Sequence, residues 1–110
     1  YKPNQPVARV LLAQAAIHNK AKQTMPTISA FYGLIIQMYF REHAPPHFHV
    51  KYGDYKAVVD IGRLELTDGK LPRRATHLVL DWAELHQQEL LNDWDLCQAL
   101  QNPKPIAPLE

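Results

Sequence analysis

The middle of the chain alternates. From His47 to Tyr52 the order is His-Phe-His-Val-Lys-Tyr, which puts His47, His49 and Lys51 on one side and Phe48, Val50 and Tyr52 on the other. A period of two predicts a strand with one buried face. Gly53-Asp54 supplies a two-residue hairpin turn, and Tyr55 to Ile61 reads as the next strand. Upstream, Phe31 to Arg41 is rich in aromatic and branched residues and predicts an earlier strand, joined through the connection Glu42 to Pro46. Gly62-Arg63 predicts a further turn into a short strand, Leu64 to Thr67, closed by Asp68-Gly69-Lys70.

After Pro72 the period lengthens. Leu71, Ala75, Leu78, Val79, Trp82 and Leu90 fall on one stripe, with Arg74, His77, Asp81 and Glu84 opposite, and Pro72 suits a first helical position. Asn92, with Asp95 three residues on, predicts the start of another helix through Leu100; the tail from Pro103 to Pro108 reads as extended or loose. Residues 1–24 look separable. Lys2 to Pro6 is loop chemistry, Val7 to Lys22 is rich in helix formers, and Met25-Pro26-Thr27 reads like a native start. Two readings of that segment stand: an upstream extension, or a helix that packs on a partner or a second copy. The expected fold is an α+β domain over residues 25–110, a meander of three or four antiparallel strands with one face covered by two C-terminal helices, and an extra N-terminal helix.

Strand register decides which side chains meet. A turn at Gly53-Asp54 sets Tyr52 opposite Tyr55, Lys51 opposite Lys56, His49 opposite Val58 and His47 opposite Asp60. Folding the preceding hairpin around Ala44 sets Arg41 opposite His47, Tyr39 opposite His49 and Gln37 opposite Lys51. Both registers share one parity. Ile36, Met38, Phe40, Phe48, Val50, Ala57, Val59 and Ile61 then form the apolar surface. Gln37, Tyr39, Arg41, His47, His49, Lys51, Lys56 and Asp60 form the other, with Glu65 near it.

Composition narrows the class. The 110 residues suffice for one domain, and an apolar share of 46% argues for a folded chain. A formal charge of +1 demands no nucleic-acid or membrane partner by itself, so any attraction comes from local clustering. The single cysteine, Cys97, has no internal partner, which fits a reducing cytoplasm. No apolar run approaches a membrane span.

Several placements on the polar face point to chemistry. Lys51 opposite Lys56 is unfavourable unless an anion joins them, Arg41 lies close by, and Arg73 and Arg74 open a helix at the positive end of its dipole. A bound phosphate would turn these misplacements favourable, although a solvated surface also tolerates them. Histidine beside tyrosine, ringed by cations, can cleave RNA: His47 and His49 exchange protons with the 2′-hydroxyl and the leaving oxygen, Tyr39 orients or protonates, and Arg41, Lys51, Lys56, Arg73 and Arg74 hold phosphate. Asp60 would orient His47, or merely pair with it across the strands. Metal binding is the other chemistry. His47 and His49 at i and i+2 can ligate one divalent ion, with His43, Asp60 or Glu65 completing the set and Pro45-Pro46 stiffening the loop that carries His43. No other cofactor is expected. His86 reads as a core or interface residue, His77 and His18 as solvent-facing, Cys97 as a small core residue, and Trp82 and Trp94 as core anchors. There is no phosphate-binding glycine loop and no serine in a nucleophile-elbow context.

Met25 to Ser29, Phe31-Tyr32-Gly33, the run His43 to Val50 and Gly69-Lys70-Leu71-Pro72-Arg73-Arg74 carry a resemblance. From Met25 to about Leu109 the chain resembles the small bacterial family known as domain of unknown function forty-one sixty. Members tend to be encoded beside another small domain, in an arrangement of the toxin–antitoxin kind. The resemblance therefore implies a cytoplasmic setting, a small cognate partner protein and a growth-inhibiting activity, and it carries no catalytic residues across. Two functions follow as expectations: a toxin–antitoxin component acting on RNA, or a non-enzymatic protein-binding module of a two-protein complex, with homo-oligomerisation open to either.

Overall fold

The computed structural model describes residues 25–110; the expected N-terminal helix, within residues 1–24, lies outside them. Five strands, β1 (Thr27–Phe31), β2 (Leu34–Gln37), β3 (His47–Tyr52), β4 (Tyr55–Asp60) and β5 (Glu65–Gly69), pair in sequence order as one antiparallel meander. Two helices follow, α1 (Arg73–Leu85) and α2 (Gln87–Gln98). The α+β class is as expected, with five strands in place of three or four.

The extra strand comes from a turn inside the run read as continuous. Tyr32 and Gly33 both adopt positive φ, 50° and 83°, as a two-residue type I′ hairpin requires, and they split Phe31 to Arg41 into β1 and β2. β2 then stops at Gln37 and pairs Leu34 with Tyr52, Ile35 with Lys51, Ile36 with Val50 and Gln37 with His49. The expected partners Gln37–Lys51, Tyr39–His49 and Arg41–His47 are thus displaced by two positions, and Tyr39 and Arg41 belong to the loop. An even displacement keeps every side chain on its face. The β3–β4 register is the expected one, from His47 opposite Asp60 to Tyr52 opposite Tyr55. β5 begins one residue later than expected because Leu64 turns the chain at φ 56°.

The apolar surface is the core. Ile36, Met38, Phe48, Val50, Val59 and Ile61 are buried, Ala57 nearly so, and Phe40 packs at the edge. α1 covers this face with Ala75, Val79, Trp82 and Ala83. The Trp82 ring meets Phe31 at 5.2 Å and Phe48 edge-on at 5.8 Å, and its indole N–H donates to the Ala107 carbonyl at 2.8 Å. That bond and Ile106 N–H to the Ile28 carbonyl at 2.8 Å pin the proline-rich tail, which is not loose. No helix among the described residues is long and apolar enough to cross a membrane.

α2 starts at Gln87 rather than at Asn92, because the helical path breaks at the single residue His86. Asn92 is mid-helix and accepts from Gln88 at 3.1 Å. At the far end Leu100 takes φ 61°, and the Gln101 and Leu100 amides return to the Leu96 and Cys97 carbonyls at 2.8 and 3.1 Å. This is a Schellman closure with leucine where glycine is usual. α2 runs across one end of the sheet: Gln87 Nε2 donates to the Ile61 carbonyl at 2.7 Å, and Gln98 Nε2 to the Glu42 carbonyl at 3.1 Å.

Two stability outcomes follow from these contacts. A Cβ on Gly69 would collide with the Lys56 carbonyl oxygen and lie 2.9 Å from Ala57 Cα, whereas one on Gly53 would meet nothing within 4 Å. Both glycines have positive φ, so Gly53→Ala costs about 1 kcal/mol, and Gly69→Ala costs roughly 2–3 kcal/mol in chemical denaturation. Asp93 on α2 is buried, with one carboxylate oxygen accepting from the Lys104 amide at 2.8 Å and the other unpartnered. Desolvation raises its pKa, Glu89 adds to the rise, and the Lys104 amide opposes it. Folding therefore favours the protonated form, and the stability this lends is present below the unfolded carboxylate pKa of about 3.9 and is lost as pH rises through the folded value. The thermal midpoint of Asp93→Asn minus that of wild type should grow with pH across this window; a constant difference refutes the assignment.

Candidate functional site

The loop between β2 and β3 and the first half of β3 build the site. Alternation sends Phe48 and Val50 into the core and leaves His47 and His49 on the opposite face. Their rings converge, with centroids 5.4 Å apart. His47 Nε2 and His49 Nε2 each lie 2.8 Å from the same atom, Glu42 Oε1. His47 Nδ1 donates to the Pro45 carbonyl at 2.8 Å. The Ala44–Pro45 bond in this loop is cis. Trp94, reaching over from α2, packs on the His47 ring at 5.1 Å, while Tyr39 stacks on His49 at 4.1 Å with the planes 27° apart.

The cluster is half-buried: the side chains of His47, His49 and Glu42 are 15%, 21% and 24% exposed. Each offers one donor atom, and the three atoms lie within 4.8 Å of one another, a histidine–carboxylate set of metal-ligand type.

From His49 the sheet face opens into a shallow cavity of about 310 Å³, which Gln37, Tyr39, Lys51, Lys56, Val58 and Asp68 help to line. Lys51 and Lys56 are direct ladder partners and both are exposed. Neither pairs with a carboxylate among the described residues.

Other expected members stand elsewhere. Asp60 faces His47 across the ladder, yet its carboxylate accepts the Arg63 amide at 2.9 Å, closing the β4–β5 turn, and both His47 nitrogens are taken by Pro45 and Glu42. Glu42, not Asp60, orients His47. His43 is exposed and outside the cluster, so the metal-type set is Glu42, His47 and His49 instead of His43, His47 and His49. Glu65 pairs with Arg63 at 3.6 Å. Arg41 sits at φ 55° on the exposed loop. Arg73 and Arg74 open α1, the helix on the core face, and line neither the cavity nor the cluster. His86 joins the helices, hydrogen-bonding Glu89 and packing on Trp82. The Cys97 thiol is buried and pushed up to about 12 by desolvation and then by Asp93, which makes it inert.

Glu42 is the residue that sequence reasoning missed. An early loop that folds back over two prolines brings it level with the strand, and an acidic residue just before a His-x-His strand was the available sign.

Residues 33–95 match the family model described as Domain of unknown function (DUF4160). The chain belongs to this family. No curated protein and no solved structure matches it. The DUF4160 match is narrower than the span from Met25 to Leu109, since β1 and the tail lie outside it, and every residue of the cluster and both lysines lie inside.

Proposed function

We propose that this domain acts on RNA held along its open sheet face, with backbone cleavage at the Glu42–His47–His49 end. The observation that carries the reading is the pair Lys51 and Lys56, adjacent across the ladder, exposed and without a carboxylate partner among the described residues. Two like charges placed opposite each other destabilise a sheet by a few tenths of a kcal/mol, and a phosphate between them reverses the sign. The cavity of about 310 Å³ beside them is shallow, and the stacked Tyr39–His49 rings at its wall offer an aromatic surface for a base. RNA suits such a face better than DNA because it brings its own nucleophile. A base at the cluster takes the proton of the 2′-hydroxyl, which attacks the adjacent phosphorus, and the P–O5′ bond breaks with the departing 5′-oxygen taking a proton from the cluster or from water. The family resemblance supports a toxin–antitoxin setting, in which a small cognate protein would restrain this activity.

The test is titration of a labelled single-stranded RNA at several salt concentrations, with gel analysis of the strand. Wild type should bind with a salt-dependent affinity, and Lys51→Ala/Lys56→Ala should flatten the slope of log K against log salt by roughly 1.4, two single-strand phosphate contacts. Full-length RNA should disappear with wild type and persist with His49→Ala. Binding that ignores the lysine pair, or RNA left intact by wild type, refutes the reading.

A further inference from the structure

Three side-chain donor atoms, His47 Nε2, His49 Nε2 and Glu42 Oε1, converge on one another beside β3. The Pro45 carbonyl can only accept, so His47 Nδ1 carries a hydrogen. A neutral His47 then presents the lone pair of Nε2 to Glu42 Oε1, itself an acceptor, at 2.8 Å. His49 Nε2 reaches the same oxygen at 2.8 Å and can donate to it as the Nε2–H tautomer. The His47 and Glu42 lone pairs face each other at that distance unless a proton or a metal ion stands between them. A proton shared by His47 and Glu42 is one solution, and it joins only two of the three atoms. A metal ion is the other solution, and it uses all three donors at once.

We propose that Glu42 Oε1, His47 Nε2 and His49 Nε2 bind one divalent transition-metal ion of the zinc class. Bonds of about 2.0–2.2 Å to such an ion place facial or tetrahedral donors roughly 3.0–3.4 Å apart, so each histidine–carboxylate spacing of 2.8 Å opens by a few tenths of an ångström, and the two imidazole nitrogens already lie within 4.8 Å of each other. Two imidazoles and a carboxylate match the ion's preference, and neither lysine nor thiol competes at the cluster. The outer partners are those of a built metal site. The Pro45 carbonyl on His47 Nδ1 fixes the tautomer that leaves Nε2 free to ligate, Gln98 anchors the Glu42 backbone from α2, and Trp94 and Tyr39 clamp the rings. Three protein donors leave coordination positions for water or substrate, and His49 lines the cavity that holds Lys51 and Lys56. An ion here would polarise a phosphate oxygen resting on those lysines and lower the pKa of its own water. The metal site rests on the cluster's geometry and stands or falls apart from RNA binding.

The experiment uses the full chain purified without a polyhistidine tag, stripped with chelator and titrated calorimetrically with ZnCl₂. Wild type should bind one equivalent, and its thermal midpoint should rise with the metal. Glu42→Gln, which keeps the size and hydrogen-bonding capacity of the side chain, and His49→Ala should each weaken binding at least 10–100-fold, about what losing an outer partner alone causes. Circular dichroism confirms that the variants fold. His43→Ala, outside the cluster, should bind zinc like wild type. Absence of a one-to-one isotherm with wild type, or zinc affinity unchanged by Glu42→Gln and His49→Ala, overturns the site.

Discussion

Glu42 reaches its position because the chain between Gln37 and His47 is held from several sides. Met38 N–H still bonds to the Pro26 carbonyl at 3.2 Å, extending the pairing beyond β2, and Ile61 N–H bonds to the Pro46 carbonyl at 3.0 Å just before β3 begins. Between these ties Gln98 of α2 takes the Glu42 carbonyl at 3.1 Å. One carboxylate oxygen is thereby fixed in front of two imidazoles, and the electrostatics of the site follow from that placement. Partial burial under α2 strengthens each contact, since a lower local dielectric favours satisfied polar groups and penalises unsatisfied ones.

α2 therefore has two roles that its sequence alone does not separate. Leu90, Trp94 and Cys97 complete the core, and the same helix closes one end of the sheet by touching the β4–β5 turn, His47 and the Glu42 loop. Trp94 belongs to both, buried against the core and packed on a site histidine. A sheet face that would otherwise be wholly solvated thus acquires a half-buried end.

Parity was legible because it is robust. Phe48 and Val50 must be buried, so His47 and His49 must emerge on the other side, and displacing the neighbouring strand by two residues leaves that unchanged. The β3–β4 register was legible because Gly53, at φ 59°, marks a two-residue turn. The β1–β2 turn was not, because only its second residue, Gly33, signals positive φ and Tyr32 before it does not; the burial of Ile28 and Phe31 in the core accompanies it. The start of α2 was hidden for a related reason. His86 is an ordinary residue, and no proline or glycine marks the break; the tertiary tie beside it is Gln87 Nε2 to the Ile61 carbonyl. Glu42 stayed out of sight because its partners are set by a loop path, and the shortened β2 decides that path.

Along β3 the exposed-face side chains run from half-buried His47 through His49 to exposed Lys51. Groups whose use depends on a fixed orientation sit at the covered end, and charges whose use depends on ligand access sit at the open end. A phosphate held by Lys51 and Lys56 would lie one strand repeat, roughly 6.6 Å, from the His49 position, because same-face neighbours on a strand are two residues apart. That distance fits a strand whose backbone rests on the lysines while its neighbouring unit faces the cluster. Reversing the order, with lysines under α2 and histidines in solvent, would bury unpaired charge and leave the imidazoles free to rotate. The gradient of burial set by α2 is what makes one side of a small sheet chemically directional.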